Sequence, residues 1–301
     1  MPPVLLAVGD SVNWGQGLLW TNKMSTLVAQ ALQPTLPGLE VVMRAHSGAI
    51  IGAGATVGLN RVHGEVPVGY PTILDQIEHY EKDAADVRIV LVNGGINDID
   101  IRIILNPFVP LATLSALTIE HCYDSMRTLL QSAAARFPGP EVPILVTPYY
   151  PILSPNSKPF DIPMLLAQQG LALPPWITLT PGPNPIVERC MQFWKESTES
   201  LTRAVDDVNA EAGTNRVLLV DPGFTDANAI FAEDPWLFGV SNAAGMPAED
   251  EVIPERRLAC NAAIPPHDVL GREQCYRASA GHPNRKGAER YAHAILQALT
   301  V

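Results

Sequence analysis

The chain has 301 residues, of which 47% are apolar and 17% are charged, and its formal net charge is −11. This composition is typical of a globular protein with a large core. The sequence has no cluster of Lys and Arg, which argues against binding to a nucleic-acid backbone. It also has no apolar run of the roughly 18 residues that a transmembrane helix needs. We therefore expect neither a nucleic-acid partner nor stable membrane insertion.

The chain enters its first predicted strand directly after Met1-Pro2-Pro3. Because no basic segment and no cleavage site precede that strand, we expect no signal peptide in this chain. A cytoplasmic protein and a secreted protein trimmed to its mature form would both look this way, so the compartment stays open.

The four cysteines form no C-x-x-C pair, which argues against a zinc ribbon or a thioredoxin-type site. Cys260 and Cys275 bracket a loop-like stretch that contains proline, and they are the candidate disulfide. Cys122 and Cys190 lie in helical patterns and are interpreted as buried thiols.

Five short apolar runs, at residues 4–8, 39–45, 87–93, 143–147 and 216–220, predict β-strands. The runs are almost continuously apolar rather than alternating, which is typical of strands buried on both faces of a parallel sheet.

Helical patterns lie between these strands. They cover residues 24–32 after Thr21 as a candidate N-cap, 73–80, 111–137, 187–212 and the segment from Lys286 onward. Strands that alternate with helices predict an α/β fold, a three-layer α/β/α sandwich around a five-stranded parallel sheet. We interpret residues 1–301 as a single domain.

Two proline-rich stretches, at about 149–185 and 222–280, do not follow this alternation and are interpreted as irregular insertions. Both leave from the carboxyl ends of predicted strands. Because ligand sites of open α/β sheets lie beyond those ends, the insertions are candidates to wall a pocket.

Four short segments carry the candidate chemistry. Gly9-Asp10-Ser11, Ser47-Gly48-Ala49 and the GGIND segment at 94–98 each follow a predicted strand, and GHPNRKG at 281–287 precedes the last helix. A parallel sheet can bring all four to one edge. A serine at a strand-to-helix turn is exposed, and a histidine nearby can take its proton and return it to a leaving group.

A tetrahedral intermediate also needs hydrogen-bond donors for its oxyanion. The backbone N–H groups of Ser11 and Gly48 and the side-chain amide of Asn97 are the three candidates. His282 is the candidate base.

The same blocks, in the same order, resemble those of the SGNH hydrolases, a branch of the GDSL-type esterases and lipases. The match covers the first hundred residues and the last twenty, whereas the middle matches only in its alternation of strands and helices. The resemblance implies a flavodoxin-like α/β/α fold, a nucleophile at Ser11 and a general base at His282. It further implies oxyanion donors at Ser11, Gly48 and Asn97.

The sequence departs from the family pattern behind the histidine. The family usually has an aspartate three residues before that histidine, and Ser279 stands there in this chain. A carboxylate at this place fixes the histidine tautomer. We favour the backbone carbonyl of Ser279 or Ala280 as its replacement, with Asp268 or Asp221 as the alternatives.

Two further residues are candidates for the pocket wall. Trp14 lies three positions after the candidate nucleophile, and His46 precedes Ser47-Gly48. The histidines show no metal-ligand spacing, and Gly15-x-Gly17 is an incomplete nucleotide fingerprint. We therefore expect no metal and no cofactor.

The sequence predicts a serine hydrolase that cleaves small-molecule or lipid esters of carboxylic acids through an acyl-enzyme on Ser11. Apolar residues at 165–175 and 236–240 favour acyl chains of short to medium length. The alternative enzyme is a carbohydrate O-acetyl esterase. The alternative of another class is a non-catalytic binding module with the same fold.

Overall fold

A computed structural model of the chain describes residues 2–52, 62–69, 71–171, 173–174, 184–240, 247 and 249–300. Its central sheet has five parallel strands in the order β2-β1-β3-β4-β5. The strands are β1 (Val4–Ala7), β2 (Glu40–Met43), β3 (Val87–Val92), β4 (Ile144–Val146) and β5 (Val217–Leu219). The five predicted strands are therefore confirmed, each slightly shorter than its apolar run.

Burial explains why these runs are apolar. Every residue of β1 and β4 is buried, and in β3 only Arg88 is exposed, because these strands occupy the middle of the sheet. The edge strand β2 is partly exposed along its length. Strands covered on both faces are expected to be apolar throughout.

Helices cover both faces of the sheet, which confirms the three-layer α/β/α sandwich. Helices α2 and α12 pack against each other, and α6, α7 and α9 form another packed group that α3 joins. The bounds are α1 (Ser11–Trp14), α2 (Met24–Leu32), α3 (Ile73–Glu78), α4 (Ile96–Ile99), α5 (Ile101–Ile104), α6 (Leu111–Ile119), α7 (Met126–Arg136), α8 (Ile162–Gln168), α9 (Pro185–Ala212), α10 (Ile253–Ala263), α11 (Val269–Tyr276) and α12 (Arg285–Ala298). In the part of the chain described, no helix combines the length and the apolar character that a membrane span requires.

Two details of the predicted helices differ. The helix expected at residues 111–137 is continuous but contains one wider turn of π-helix, Glu120–Ser125, between α6 and α7. The N-cap of α2 is Lys23 rather than Thr21, which lies within a short 3₁₀ turn, Trp20–Asn22. Lys23 provides no side-chain cap, because its ammonium group instead donates to the carbonyls of Trp14 and Gly15.

The second stretch interpreted as irregular contains two helices, α10 and α11. A disulfide between Cys260 and Cys275, whose Cα atoms lie 6.0 Å apart, joins these helices and confirms the candidate pairing. Cys122 and Cys190 are buried free thiols, as predicted. Burial raises the pKa of Cys190 to about 12, so this thiol stays protonated and unreactive at neutral pH.

Candidate active site

Ser11 lies where β1 meets α1, at the carboxyl edge of the sheet. Asp10 caps this short helix, and its carboxylate accepts the backbone N–H of Val12 at 2.8 Å. The side-chain amide of Gln76 also holds this turn. Its oxygen accepts the backbone N–H of Gly9 at 2.7 Å, and its nitrogen donates to the Gly9 carbonyl at 3.0 Å. Ser11 is therefore held on a rigid turn.

His282 lies against the hydroxyl of Ser11. The distance from its Nε2 to Ser11 Oγ is 2.7 Å, and its Nδ1 lies 3.3 Å from the backbone carbonyl of Ser279. A carbonyl oxygen only accepts hydrogen bonds, so Nδ1 carries the proton and Nε2 accepts the Ser11 hydroxyl. This tautomer is the one that a general base acting on Ser11 requires.

The loop that carries His282 is fixed by segment 236–240. The N–H of Phe238 donates to the carbonyl of His282, and the N–H of Gly281 donates to the carbonyl of Phe238, both at 2.8 Å. Asn284 then caps α12 by accepting the N–H of Gly287. The apolar side chains of segment 236–240 are buried, and none of them is in the described lining of the cavity at Ser11, so this segment carries no information about acyl-chain length.

Burial lowers the pKa of His282 to about 4. The carbonyls of Ser279, Ala280 and Ala278 favour the protonated ring and oppose this effect, whereas the positive charge of Arg256 adds to it. His282 is therefore neutral at physiological pH and able to accept a proton.

Gly48 occupies a position that only glycine fits. Its φ of +74° lies in the left-handed region, and a Cβ there would come within 2.5 Å of the backbone nitrogen of Val68. Among the hydrogen bonds of the described residues, none uses the backbone N–H of Gly48 or of Ser11. Both residues line the same cavity, so these two donors are available to a ligand.

Asn97 lies in α4, directly after the carboxyl end of β3. Its side-chain nitrogen donates one hydrogen bond to the carbonyl of Ala49 at 3.0 Å, which orients the amide toward the Gly48 loop. The neighbouring Asp98 accepts the N–H of Ile51 at 3.1 Å and ties the same two loops together. An amide nitrogen has two hydrogens, so Asn97 retains a second donor at the cavity.

Tyr149, for which the sequence predicts no role, links the Ser11 turn to the Asn97 helix. Its hydroxyl donates to the carboxylate of Asp10 and accepts the N–H of Ile96, both at 2.9 Å. Asn93, at the end of β3, accepts the N–H of Asp10 at 3.0 Å. Tyr149 follows β4 just as Asn93 follows β3. A polar side chain directly after a parallel strand is the sequence feature that points to both residues.

Asp10 is fully buried within this network. Burial raises its pKa to about 6, although the hydrogen bonds from Val12 and Tyr149 favour its ionised form. A buried carboxyl group is retained at this cost because its two oxygens serve two different loops.

Ser11, Gly48, Asn97 and His282 line one cavity of about 440 Å³. Its apolar wall combines Val12 and Ile50 with side chains of α4, α5 and the first proline-rich stretch. The apolar side chains are Val12, Ile50, Ile96, Ile101, Leu105, Ile152 and Leu165. Polar groups at its boundary are the side chains of Arg102, Gln168, Gln169 and Gln274. Gln274 belongs to the second proline-rich stretch, so both stretches line the cavity.

The two predicted wall residues do not line this cavity. The indole N–H of Trp14 donates to the carboxylate of Glu65 at 2.7 Å, and Lys23 packs over its ring. His46 is buried, with its ring nitrogens 2.8 Å from the carbonyl of Ser47 and 3.0 Å from that of Val62. The hydrogen bonds of Trp14 and His46 instead direct both side chains to the loop at residues 62–65 and to Ser47.

The two alternative aspartates are both engaged elsewhere. Asp268 is exposed and caps α11 by accepting the N–H of Gly271 at 2.9 Å. Asp221 is also exposed and accepts the N–H of Gly223 at 2.8 Å. Neither carboxylate hydrogen-bonds to His282, whose Nδ1 faces the carbonyl of Ser279.

A larger and more open groove of about 990 Å³ runs along α9 and the end of β5. Its described lining includes none of the four predicted catalytic and oxyanion residues. One group of side chains, Asp75, Glu78 and His79, places ligand atoms within 4.8 Å of one another. Asp75 already forms a capping box with Thr72 at the start of α3, and this group does not line the Ser11 cavity.

No known family model matches the chain, and no curated protein matches it in sequence. Solved structures share its fold. A lipase from a goat rumen metagenome superposes with a TM-score of 0.50 at 12% identity, over 99% of this chain and 97% of the lipase. Est24, a carbohydrate acetylesterase from Sinorhizobium meliloti, gives 0.46 at 14% identity, over 99% and 98%. A catalytic mutant of Axe2, an acetylxylan esterase from Geobacillus stearothermophilus, gives 0.42 at 18% identity, over 100% and 96%.

Replacement of Tyr149 by phenylalanine should lower the free energy of unfolding by about 1–3 kcal/mol, because it leaves buried groups of Asp10 and Ile96 without a partner. Urea unfolding measures this loss. Tyr80 provides a matched control, since it is also a buried tyrosine but its hydroxyl has no hydrogen-bond partner among the described residues. Tyr80→Phe should be nearly neutral, and equal losses in the two variants would contradict the assigned role of the Tyr149 hydroxyl.

Proposed function

We propose that the chain is a serine hydrolase that cleaves carboxylic esters. The observation that carries this proposal is the 2.7 Å contact between Ser11 Oγ and His282 Nε2 at the wall of a cavity that also holds Gly48 and Asn97. A serine hydroxyl bonded to the free nitrogen of a neutral imidazole is an activated nucleophile. The fold shared with the rumen lipase is consistent with this activity.

In the first half of the reaction, Ser11 Oγ attacks the ester carbonyl carbon while its proton passes to Nε2 of His282. The negative charge that develops on the carbonyl oxygen is stabilised by the N–H groups of Ser11 and Gly48 and by the second N–H of Asn97. Collapse of this intermediate breaks the bond to the alcohol, which leaves with the proton from His282. An acyl group then remains on Ser11.

In the second half, a water molecule takes the place of the alcohol. His282 accepts a proton from that water, whose oxygen attacks the acyl carbonyl. The bond to Ser11 Oγ breaks, the proton returns to Ser11, and the carboxylic acid leaves. The same three donors serve both halves because both pass through an oxyanion at the same place.

The carbonyl of Ser279 is proposed as the group that orients His282. It accepts from Nδ1 at 3.3 Å and so holds the tautomer that leaves Nε2 free. The exposed positions of Asp268 and Asp221, and their hydrogen bonds to their own turns, argue against either alternative.

The cavity favours an acyl chain longer than acetyl. A cavity of about 440 Å³ walled by branched aliphatic side chains exceeds what an acetyl group would fill. Leu165 lies on this wall, and part of the predicted segment 165–175 falls outside the described residues. A carbohydrate O-acetyl esterase is the competing function within the same chemistry.

Ser11→Ala should lower the hydrolysis of a nitrophenyl butyrate by about 10⁴-fold or more, and Asn97→Ala should lower kcat by about 10²-fold. Initial rates with the purified variants measure both effects.

A fluorophosphonate probe should label the wild-type protein and leave Ser11→Ala unlabelled. An unlabelled wild-type protein would instead support the non-catalytic binding module, and full activity in Ser11→Ala would exclude Ser11 as nucleophile.

The acid limb of kcat/KM should have an apparent pKa near 4 rather than near the ordinary 6.5 of histidine. The pKa of His282 is shifted downward because burial disfavours the imidazolium. His282 therefore remains a competent base at lower pH. A pH–rate profile from pH 3.5 to 8 measures this value. Asp10, with a pKa of about 6, also titrates in this range, and the same profile measured on Asp10→Asn identifies any limb that belongs to Asp10.

The rate on nitrophenyl esters should rise with acyl length from acetate, by up to about fourfold in kcat/KM per added CH₂, until the cavity is filled. Ile101→Phe narrows the apolar wall and should move the optimum to shorter chains while acetate hydrolysis changes little. Ile119, an exposed isoleucine outside the cavity, provides the matched control as Ile119→Phe. A preference for acetate, together with acetate release from acetylated xylan, would favour the O-acetyl esterase.

A further inference from the structure

A cluster of buried charged side chains lies behind the loop that carries Ser279 and His282. It consists of Lys23, Glu65, Asp250 and Arg256, whose side chains are at most 4% exposed. Lys23 and Arg256 both face Glu65, at 3.8 and 3.0 Å, and Arg256 also pairs with Asp250. Two cations and two carboxylates balance in charge, as burial requires.

Asp250 is the member of this cluster that reaches the histidine loop. Its two oxygens accept a bidentate pair of hydrogen bonds from Arg256 at 2.6 and 2.8 Å, and one of them also accepts the N–H of Val252 at 3.0 Å. The remaining contact is a short hydrogen bond from the hydroxyl of Ser279. Asp250 is therefore fixed in place on one side and holds Ser279 on the other.

Ser279 is held through its side chain and bonded to His282 through its backbone. Its hydroxyl donates to Asp250, while its carbonyl accepts both the backbone N–H of His282 at 2.9 Å and the ring Nδ1 at 3.3 Å. The side chain of Ser279 is completely buried, so no water competes for these bonds. Arg256 also donates to this hydroxyl, at 3.4 Å, so the Asp250–Arg256 pair holds the residue that presents the carbonyl.

We propose that Asp250 is a positioning residue for His282 and that it acts through Ser279. A carboxylate usually contacts the histidine directly. Here Ser279 lies between the carboxylate of Asp250 and the imidazole of His282. Arg256 fixes the carboxylate, the carboxylate fixes the serine, and the serine carbonyl fixes the ring. This inference rests on the proposed function of Ser11 and His282.

The disulfide supports this arrangement. Arg256 lies on α10 one turn before Cys260, and Cys275 lies on α11 four residues before Ser279. The Cys260–Cys275 bond thus joins the helix that supplies the cation to the segment that supplies the carbonyl. Arg256 also donates to the carbonyl of Tyr276 at 3.1 Å, which adds a second link between the same two segments.

Two variants test the proposal at the two ends of the hydrogen bond between Ser279 and Asp250. Ser279→Ala removes the hydroxyl and leaves the Asp250–Arg256 pair intact, whereas Asp250→Asn keeps the shape and removes the charge. Each should lower kcat on a nitrophenyl ester about tenfold and change KM by less than twofold, because a misplaced base slows proton transfer without altering the cavity.

Two matched controls separate positioning from stability. Glu65→Gln neutralises the second carboxylate that pairs with Arg256, and the Glu65 side chain contacts neither Ser279 nor His282. Ser157→Ala removes another buried serine hydroxyl, which donates to the carbonyl of Ile230. Both controls should lower the melting temperature and leave kcat within twofold of wild type. A loss of kcat in Glu65→Gln as large as that in Asp250→Asn would overturn the proposal, as would unchanged kcat in both test variants.

A spectroscopic measurement decides the proposal independently of ester hydrolysis. The Nδ1–H proton of His282 should give a slowly exchanging NMR signal in wild type, in Glu65→Gln and in Ser157→Ala at neutral pH. In Ser279→Ala and Asp250→Asn that signal should shift and exchange faster. Persistence of the wild-type signal in both test variants would overturn the positioning role. Absence of hydrolysis and of probe labelling in wild type would overturn the proposed function instead.

Discussion

The buried carboxylate of Asp10 is the interaction on which the candidate site depends. It caps the turn of Ser11 through the N–H of Val12, and it accepts the hydroxyl of Tyr149, which in turn accepts the N–H of Ile96. Three strand ends, those of β1, β3 and β4, are thereby joined around one acidic group. Because these hydrogen bonds are shielded from solvent, no water molecule could replace a partner that was removed. The distance between Ser11 and Asn97 is consequently fixed before a substrate arrives.

The parallel sheet explains which parts of this arrangement could be read from the sequence. Residues that follow successive parallel strands must meet at one edge, so Ser11, Gly48 and Asn97 could be grouped from strand positions and their short motifs. The histidine could be added because its motif precedes the last helix. Residues whose importance depends only on a side-chain contact across the fold, such as Gln76 with Gly9, leave no such local pattern.

Nearness in sequence is a weak guide to which side chains line a cavity. Trp14 and His46 lie within three residues of Ser11 and Gly48, but a few residues along a turn are enough to point a side chain in another direction. Segment 236–240 is buried beneath the histidine loop, and burial is sufficient to explain its apolar composition. Asp250 could not be found at all, since 29 residues separate it from Ser279 and nothing local connects them.

A carbonyl in the place of a carboxylate changes the electrostatics of the base. It selects the Nδ1–H tautomer as well as a carboxylate does, because both groups only accept hydrogen bonds. It stabilises the imidazolium less, and burial together with the charge of Arg256 acts in the same direction on the pKa of His282. In the proposed mechanism the imidazolium forms at the same time as the oxyanion, so each is the counterion of the other. The three donors stabilise the oxyanion, so the ion pair as a whole can form although no carboxylate adjoins the base.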